Sequence, residues 1–221
     1  MIPVSEKGLQ AHHSQRIETE TEMSFLFGSK KPKEPETSGF MGDTSPEQDA
    51  VAAQFKEWII ATGIADLEKL HFDDHDILRF CRARKFVLAD IQLMFSNFVE
   101  WRQREQVDTI MTDFHFTEHE AVFQVHPMFY HGVDKLGRPV FCDLLGRVNV
   151  DDLFSVTTEE RLMRHHIQDY ETTMKLRFPS CSALAGKHIS QSLSIVNLNG
   201  GTVAIANKQT FGMTKIAAQI G

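Results

Sequence analysis

The spacing of hydrophobic and polar positions changes twice along this chain. Up to about residue 44 there is no sustained period: stretches such as KKPKEPETSGF mix Glu, Lys, Ser, Gly and Pro. Such a segment cannot bury enough apolar area to offset its chain entropy, so residues 1–44 are expected to form a disordered tail. From Ser45 the period becomes helical. Ser45-Pro46-Glu47-Gln48 supplies an N-cap, a proline in the first turn and a Gln three residues on. Val51, Phe55, Trp58 and Ile59 then share a face, and Gly63 is placed to end the helix. Asp73-Asp74-His75-Asp76 puts acids at the start of a second helix, expected to run through Phe86. Leu88, Ile91, Phe95, Phe98 and Trp101 step by three and four, which predicts a third helix to about Glu105. Residues 45–117 read as an N-terminal helical module.

Further on the pattern alternates between strand-like and helix-like. Glu118–Val125 reads as a short helix closed by Pro127. Phe129–Tyr130 and Val140–Cys142 flank Asp134-Lys135-Leu136-Gly137, the signature of an antiparallel hairpin, with Gly137 free to take the positive φ of the turn. Val150–Val156 reads as a helical turn, and Thr157-Thr158-Glu159-Glu160 as a capping box. The next helix carries Leu162, His166, Tyr170, Met174 and Leu176 and is expected to end at Pro179. SLSIVNL at 192–198 is the next strand. A strand, a crossover helix and a strand make a right-handed parallel unit. The fold class is therefore α/β, residues 118–221 forming the sheet domain. Asn199-Gly200-Gly201-Thr202 leads into a last predicted helix, Val203–Ile220.

Composition narrows the function. With 221 residues and 42% hydrophobic content, one main domain with accessory helices can bury a full core. A formal charge of −7 argues against a nucleic-acid binder. The three cysteines form no CxxC pair and read as thiols in a reducing compartment. Neither a signal peptide nor a membrane-spanning run is legible, which points to an intracellular protein. Phenylalanine is over-used, 17 against 2 Tyr and 2 Trp. That suits either an apolar ligand space or a Phe-rich core. In the tail, Lys30, Lys31 and Lys33 beside Met23, Phe25 and Phe27 read as a membrane-grazing or simply solvated run.

Catalytic patterns are missing. Gly186-Lys187 lacks the rest of a phosphate loop, and no GxSxG surrounds Ser192 or Ser194. His115 and His119 lack the HExxH context of a metal pair, and His165-His166 read as one surface and one core residue. The chain is expected not to be an enzyme and to need no metal or cofactor. The basic cluster Arg79, Arg82, Arg84, Lys85 is interleaved with Phe80, Cys81 and Phe86, so part of it must turn inward. An inward arginine requires a carboxylate such as Asp73, Asp74 or Asp143, or a phosphate.

The segments DDHDILRFCRARKF, FHFTEHEAVFQVHPMFYHGVDKLGRPVF and TTEERLMRHHIQDYETTMKLRFPSCSALAGKHISQSLSIVNLNG, in that order, closely resemble the CRAL-TRIO lipid-binding family, in its phosphatidylinositol/phosphatidylcholine transfer branch. The resemblance covers about Pro46 to Gly221. It implies a helical module followed by an α/β domain whose sheet floors an apolar pocket for one phospholipid. It implies that Arg84 meets the inositol-lipid phosphate. Tyr130, Phe141, Ser192 and Ser194 would form the choline-lipid headgroup site. Phe141 stands where the branch has Tyr, Ser194 where it has Thr, and Asn197 and Asn199 replace a charged pair; from packing alone, Phe141 is equally a core residue and the serines share one strand face.

Further implications are a monomer with transient membrane contact, lipid kinases as partners, and a cytoplasmic site of action with visits to Golgi or endosomal membranes in secretory traffic and phosphoinositide signalling. The family domain continues for roughly another hundred residues, an ordinary domain extent. The pocket is thus expected to be incomplete at the C-terminus, without its gate helix and with an open sheet edge. Two other readings are a lipid-free regulatory or interaction fragment, and a carrier of a tocopherol, retinoid or sterol.

Overall fold

The computed structural model describes residues 37–201. Most of the expected tail, with its Lys30–Lys33 run, and the expected helix Val203–Ile220 lie outside the described residues. Helix α1 (Pro46–Thr62) starts as its sequence dictates. Ser45 Oγ accepts from the Gln48 N–H, and Gln48 Oε1 accepts from the Ser45 N–H at 3.0 Å. Gly63 ends it in the left-handed region, φ 62°, its N–H returning to Ile59. A single turn, α2 (Leu67–Leu70), leads to α3 (Asp74–Ala83), capped by Asp73, and then to α4 (Leu88–Arg104).

The second helix is shorter than the expected extent to Phe86. Lys85 and Phe86 both take positive φ, 49° and 59°, and the Phe86 N–H turns back to the Cys81 carbonyl at 2.8 Å. Apolar periodicity continues through this turn because Phe86 still packs on the core. Six of the 17 phenylalanines lie in this cluster, against three that line the cavity described below. Phe95 meets Phe55 and Phe80 edge-on at 5.3 and 5.2 Å, with Phe72 and Phe98 alongside. Such edge-to-face pairs add about 0.5–1.5 kcal/mol each beyond area burial.

Residues 37–44, assigned to the tail by composition, contain a turn docked on α3. The Phe40 ring lies under the Arg82 guanidinium at 3.8 Å, and Arg82 Nη1 donates to the Gly39 carbonyl at 3.3 Å. No period reveals this, since one arginine makes the dock. Arg79 turns inward as expected, but over Phe80 (5.2 Å) and beside Asp76 (3.5 Å). Of the carboxylates named for it, Asp74 is engaged by Lys56 and Asp143 by His126, and Asp73 caps α3.

After a tight turn at Val107–Thr109 come α5 (Ile110–Asp113) and α6 (His119–Val125). Strands β1 (Met128–Val133) and β2 (Pro139–Asp143) pair antiparallel, with Tyr130 opposite Phe141. The turn is as predicted: Gly137 has φ 85°, and Asp134 Oδ1 accepts from the Leu136 and Arg138 N–H groups. Strand β3 (Leu193–Val196) joins β2 in parallel, giving the order β1-β2-β3. The helical region followed by a mixed α/β region is the architecture expected.

Between β2 and β3 lie α7 (Val150–Val156) and the crossover, α8 (Glu159–Thr172). The expected capping box does not form. Thr158 is the cap, accepting from the Arg161 N–H, while the Thr157 hydroxyl is spent on Glu118 at 2.9 Å. The crossover also does not stop at Pro179. A π-helical turn, Thr173–Arg177, connects α8 directly to α9 (Phe178–Ala185). Within an α-helix Pro179 would clash with the carbonyl four residues back. The π turn, where the Phe178 N–H reaches five residues back to Thr173, relieves that clash and restarts the helix with proline in its first turn. Tyr170 and Leu176, expected on the apolar face of this helix, are exposed, and Ile167 is buried.

Two contacts tie the α/β region together, one at the crossover and one between the segments that follow β2 and β3. Arg161 Nη2 donates to Glu118 Oε2 at 2.7 Å, and this bond holds the Glu118 carboxyl down to about 2, against an ordinary value of 4.5. A lowered carboxyl stabilises the fold above its ordinary value and loses that contribution as pH falls toward the lowered one. Glu118→Gln is therefore expected to destabilise the protein at pH 7 and to close the gap to wild type as pH drops from 4.5 toward 2, read by urea unfolding across that range.

The second contact is a backbone approach. The Gly146 N–H donates to the Asn197 carbonyl at 2.8 Å, and a Cβ on Gly146 would press into the backbone of Leu198 and Asn199. Gly146→Ala is expected to cost about 1–3 kcal/mol, as overpacking does, with hydrogen exchange accelerated over residues 193–198.

Candidate functional site

Residues paired across a sheet project to one face. Tyr130, Phe141 and Ser194 form one such row, and Met128, Asp143 and Val196 the next. Opposite this face lies α8. Between them is a cavity of about 890 Å³, floored by Met128, Tyr130, Phe141 and Val196 and roofed by Leu162, Met163 and His165. Phe123 of α6 and Leu153 of α7 close its sides. The volume is near the upper end of the ~300–1,000 Å³ range of small-molecule sites.

Among the apolar walls one polar stripe follows the crossover. His165, Asp169, Thr173 and Arg177 follow each other at four-residue intervals on the crossover, and all but Thr173 line the cavity. Tyr130 Oη and Thr173 Oγ1 lie 2.9 Å apart, and Arg177 Nη1 donates to Thr173 Oγ1 at 2.8 Å. Arg177 also pairs with Asp169 at 2.9 Å, and its guanidinium stacks over the Tyr130 ring at 3.9 Å. Burial pushes the Tyr130 phenol above its ordinary value, with the Thr173 hydrogen bond opposing. The π turn positions Thr173 and Arg177 here, so the feature that absorbs Pro179 also builds this polar end.

Histidines supply the other polar groups. His165 stacks on Phe116 at 4.2 Å, and burial lowers its basicity, as it does for His166, against the pull of Asp169. Both imidazoles are therefore neutral at pH 7 and compatible with an apolar ligand. His126 Nε2 lies 2.9 Å from Asp143 Oδ1 at the floor. The expectation of one core and one surface histidine at 165 and 166 is not met: both face the cavity.

Of the residues singled out in the sequence, Tyr130 and Phe141 are brought together in the cavity floor, their rings 5.2 Å apart. Ser194 sits beside Phe141 in register but is exposed, and Ser192 is exposed one residue before β3. Arg84 is elsewhere. It closes α3, exposed, with Nη1 donating to the Ala83 carbonyl at 2.9 Å. Asp169, Thr173, Arg177 and the His126–Asp143 pair were missed, although the four-residue spacing from His165 to Arg177 was there to be read as a polar stripe.

A helical module leading into a small mixed sheet, with a hollow between the sheet and its crossover helix, defines an α/β binding domain. Residues 123–220 match the CRAL/TRIO domain. It is 34% identical over 204 residues to the SEC14 cytosolic factor of Yarrowia lipolytica, covering 92% of this chain and 40% of that one. The SEC14 cytosolic factor of Kluyveromyces lactis is 36% identical over 184 residues, 83% of this chain and 60% of its own. A phosphatidylinositol/phosphatidylcholine transfer protein of Arabidopsis thaliana is 44% identical over 138 residues, 62% of this chain and 25% of its own. The chain thus spans between a quarter and three fifths of the length of these relatives.

Proposed function

We propose that the cavity holds the acyl chains of one glycerophospholipid and that the chain acts as a non-enzymatic phospholipid binding and transfer protein, exchanging phosphatidylinositol and phosphatidylcholine at cytosolic leaflets. The observation that carries this is the 890 Å³ hollow, with apolar walls from the sheet and helices and polar groups along the crossover and at His126–Asp143. Taking a methylene as ~30 Å³, the share of a water in the liquid, the space suits about thirty chain carbons, the content of two acyl tails. Each buried methylene contributes ~0.8 kcal/mol, so tails dominate affinity and the polar groups orient the ligand. The names of the relatives as transfer proteins and cytosolic factors support the reading. No helix among the described residues is long and apolar enough to cross a membrane, which fits transient contact.

The headgroup end is read as Tyr130, Phe141 and Ser194, with Ser192 at the strand entrance and Arg177 and Thr173 fixing the Tyr130 hydroxyl. With Phe141 apolar, Tyr130 is the one phenol of the row. Arg84 is proposed to meet an inositol-lipid phosphate from outside the hollow, where its exposed guanidinium is reachable. Native mass spectrometry of the purified chain tests the function: one bound phospholipid per protein is expected, and protein that emerges without lipid overturns it. In the same measurement, Arg84→Ala is expected to lower the phosphatidylinositol share with little change in phosphatidylcholine. Equal loss of both would make Arg84 structural.

A further inference from the structure

Away from the cavity, His75 in the first turn of α3 and His188 in the connection from α9 to β3 lie face to face. Their ring centroids are 3.5 Å apart and their planes within 2°. Asp73 stands beside them, and one ligand atom from each of Asp73, His75 and His188 lies within 4.8 Å of the other two. We propose that these residues form a binding site for a divalent transition metal ion of the Zn²⁺ type, clasping the helical module to the segment that enters β3.

The local structure explains why a carboxylate is available. Asp73 caps α3 through Oδ1, which accepts from the His75 and Asp76 N–H groups at 2.8 and 3.3 Å. That anchors the side chain and leaves Oδ2 for another partner. Its acidic neighbours are engaged, Asp74 by Lys56 at 2.7 Å and Asp76 by Arg79 at 3.5 Å. Asp73 and Asp76 both act on His188 as negative charges, against the Arg82 guanidinium and the roughly half positive charge of the helix N-terminus.

The donor set selects the ion. Two imidazoles and a carboxylate suit Zn²⁺, Cu²⁺ or Ni²⁺, whereas Ca²⁺ and Mg²⁺ are held by oxygen ligands. Three protein ligands leave a fourth position for water. Metal–ligand distances of ~2.0–2.2 Å place tetrahedral ligand atoms about 3.4 Å apart, so a pair at the 4.8 Å limit must close by about 1.4 Å. The rings must also tilt out of their parallel stack, because the nitrogen lone pairs lie in the ring planes. Rotation about the χ angles provides both movements, since His188 is exposed and His75 only half-buried.

Titration of the full, metal-free chain with Zn²⁺ by calorimetry, and with Co²⁺ by visible absorption, is the test. One ion per chain and the absorption of tetrahedral Co²⁺ are expected. His75→Ala and His188→Ala should each weaken Zn²⁺ binding at least about tenfold, the low end of what loss of even an outer-shell partner costs. His131→Ala, an exposed histidine on β1, should leave it unchanged. Zn²⁺ should raise the Tm of wild type and not that of His188→Ala. If His75→Ala lowers the metal-free Tm, His188→Ala decides alone. Unchanged affinity in His188→Ala, or no stoichiometric Zn²⁺ binding by wild type, overturns the site. Each outcome is independent of whether phospholipid is bound.

Discussion

Arg102→Ala is expected to lower the unfolding free energy by about 3–5 kcal/mol, the usual cost of removing one partner from a buried ion pair. Arg102 lies near the end of α4 with its side chain 7% exposed, and it meets Glu171 of the crossover, 10% exposed, through two bonds of 2.8 and 3.1 Å. It also donates to Asp108 from Nε and Nη2. Lys175 approaches the far side of Glu171 at 3.0 Å. Burial by itself would raise the Glu171 carboxyl; the hydrogen bonds and charge of Arg102 and the neighbouring Lys175 hold it below its ordinary value instead. Without the arginine, Glu171 keeps its burial and loses its main compensation. Asp108, 66% exposed, loses little because water replaces its partner.

The double variant Arg102→Met, Glu171→Leu discriminates between a charge requirement and a packing requirement. If the pair matters because one charge must not be left alone, the double variant recovers most of the loss, as apolar replacement of a buried pair commonly does. If Arg102 matters by packing against Phe98, over which its guanidinium lies at 5.4 Å, the double variant stays destabilised. Urea unfolding of the three variants separates these outcomes. The pair joins the helical module to the crossover, so its loss should also appear as faster hydrogen exchange in both.

What the sequence could reveal depended on how local the cause was. The Ser45 cap, the Gly63 stop and the Asp134–Gly137 turn follow from side chains a few residues apart, and all three form as read. The parallel pairing of β2 and β3 followed from the helical crossover between them. Errors arose where a distant partner decided. Thr157 was displaced from its capping role by Glu118, 39 positions earlier, and the Pro179 stop was bypassed by a π turn that apolar periodicity does not register. In the site, Tyr130 and Phe141 were legible because hairpin register places them side by side. Arg177 was not, because its position over the Tyr130 ring depends on that π turn.

Filling the hollow is expected to empty the protein of lipid. Met163 and Val196 line the cavity from roof and floor, and neither is fully buried, Val196 being 52% exposed at the open side of β3. Met163→Trp with Val196→Trp should therefore be tolerated better than growth in the packed core around Phe95. An indole that displaces even two methylenes of a tail removes about 1.6 kcal/mol, which exceeds the 1.4 kcal/mol of a tenfold change. With two such wedges, co-purifying phospholipid should fall at least tenfold, whatever its headgroup. Phe141→Tyr restores a hydroxyl beside Tyr130 without changing the volume available to tails, so it should alter the ratio of phosphatidylcholine to phosphatidylinositol and not the total. Lipid retained at wild-type levels in the double tryptophan variant, with the fold intact by circular dichroism, would place the ligand somewhere other than between the sheet and α8.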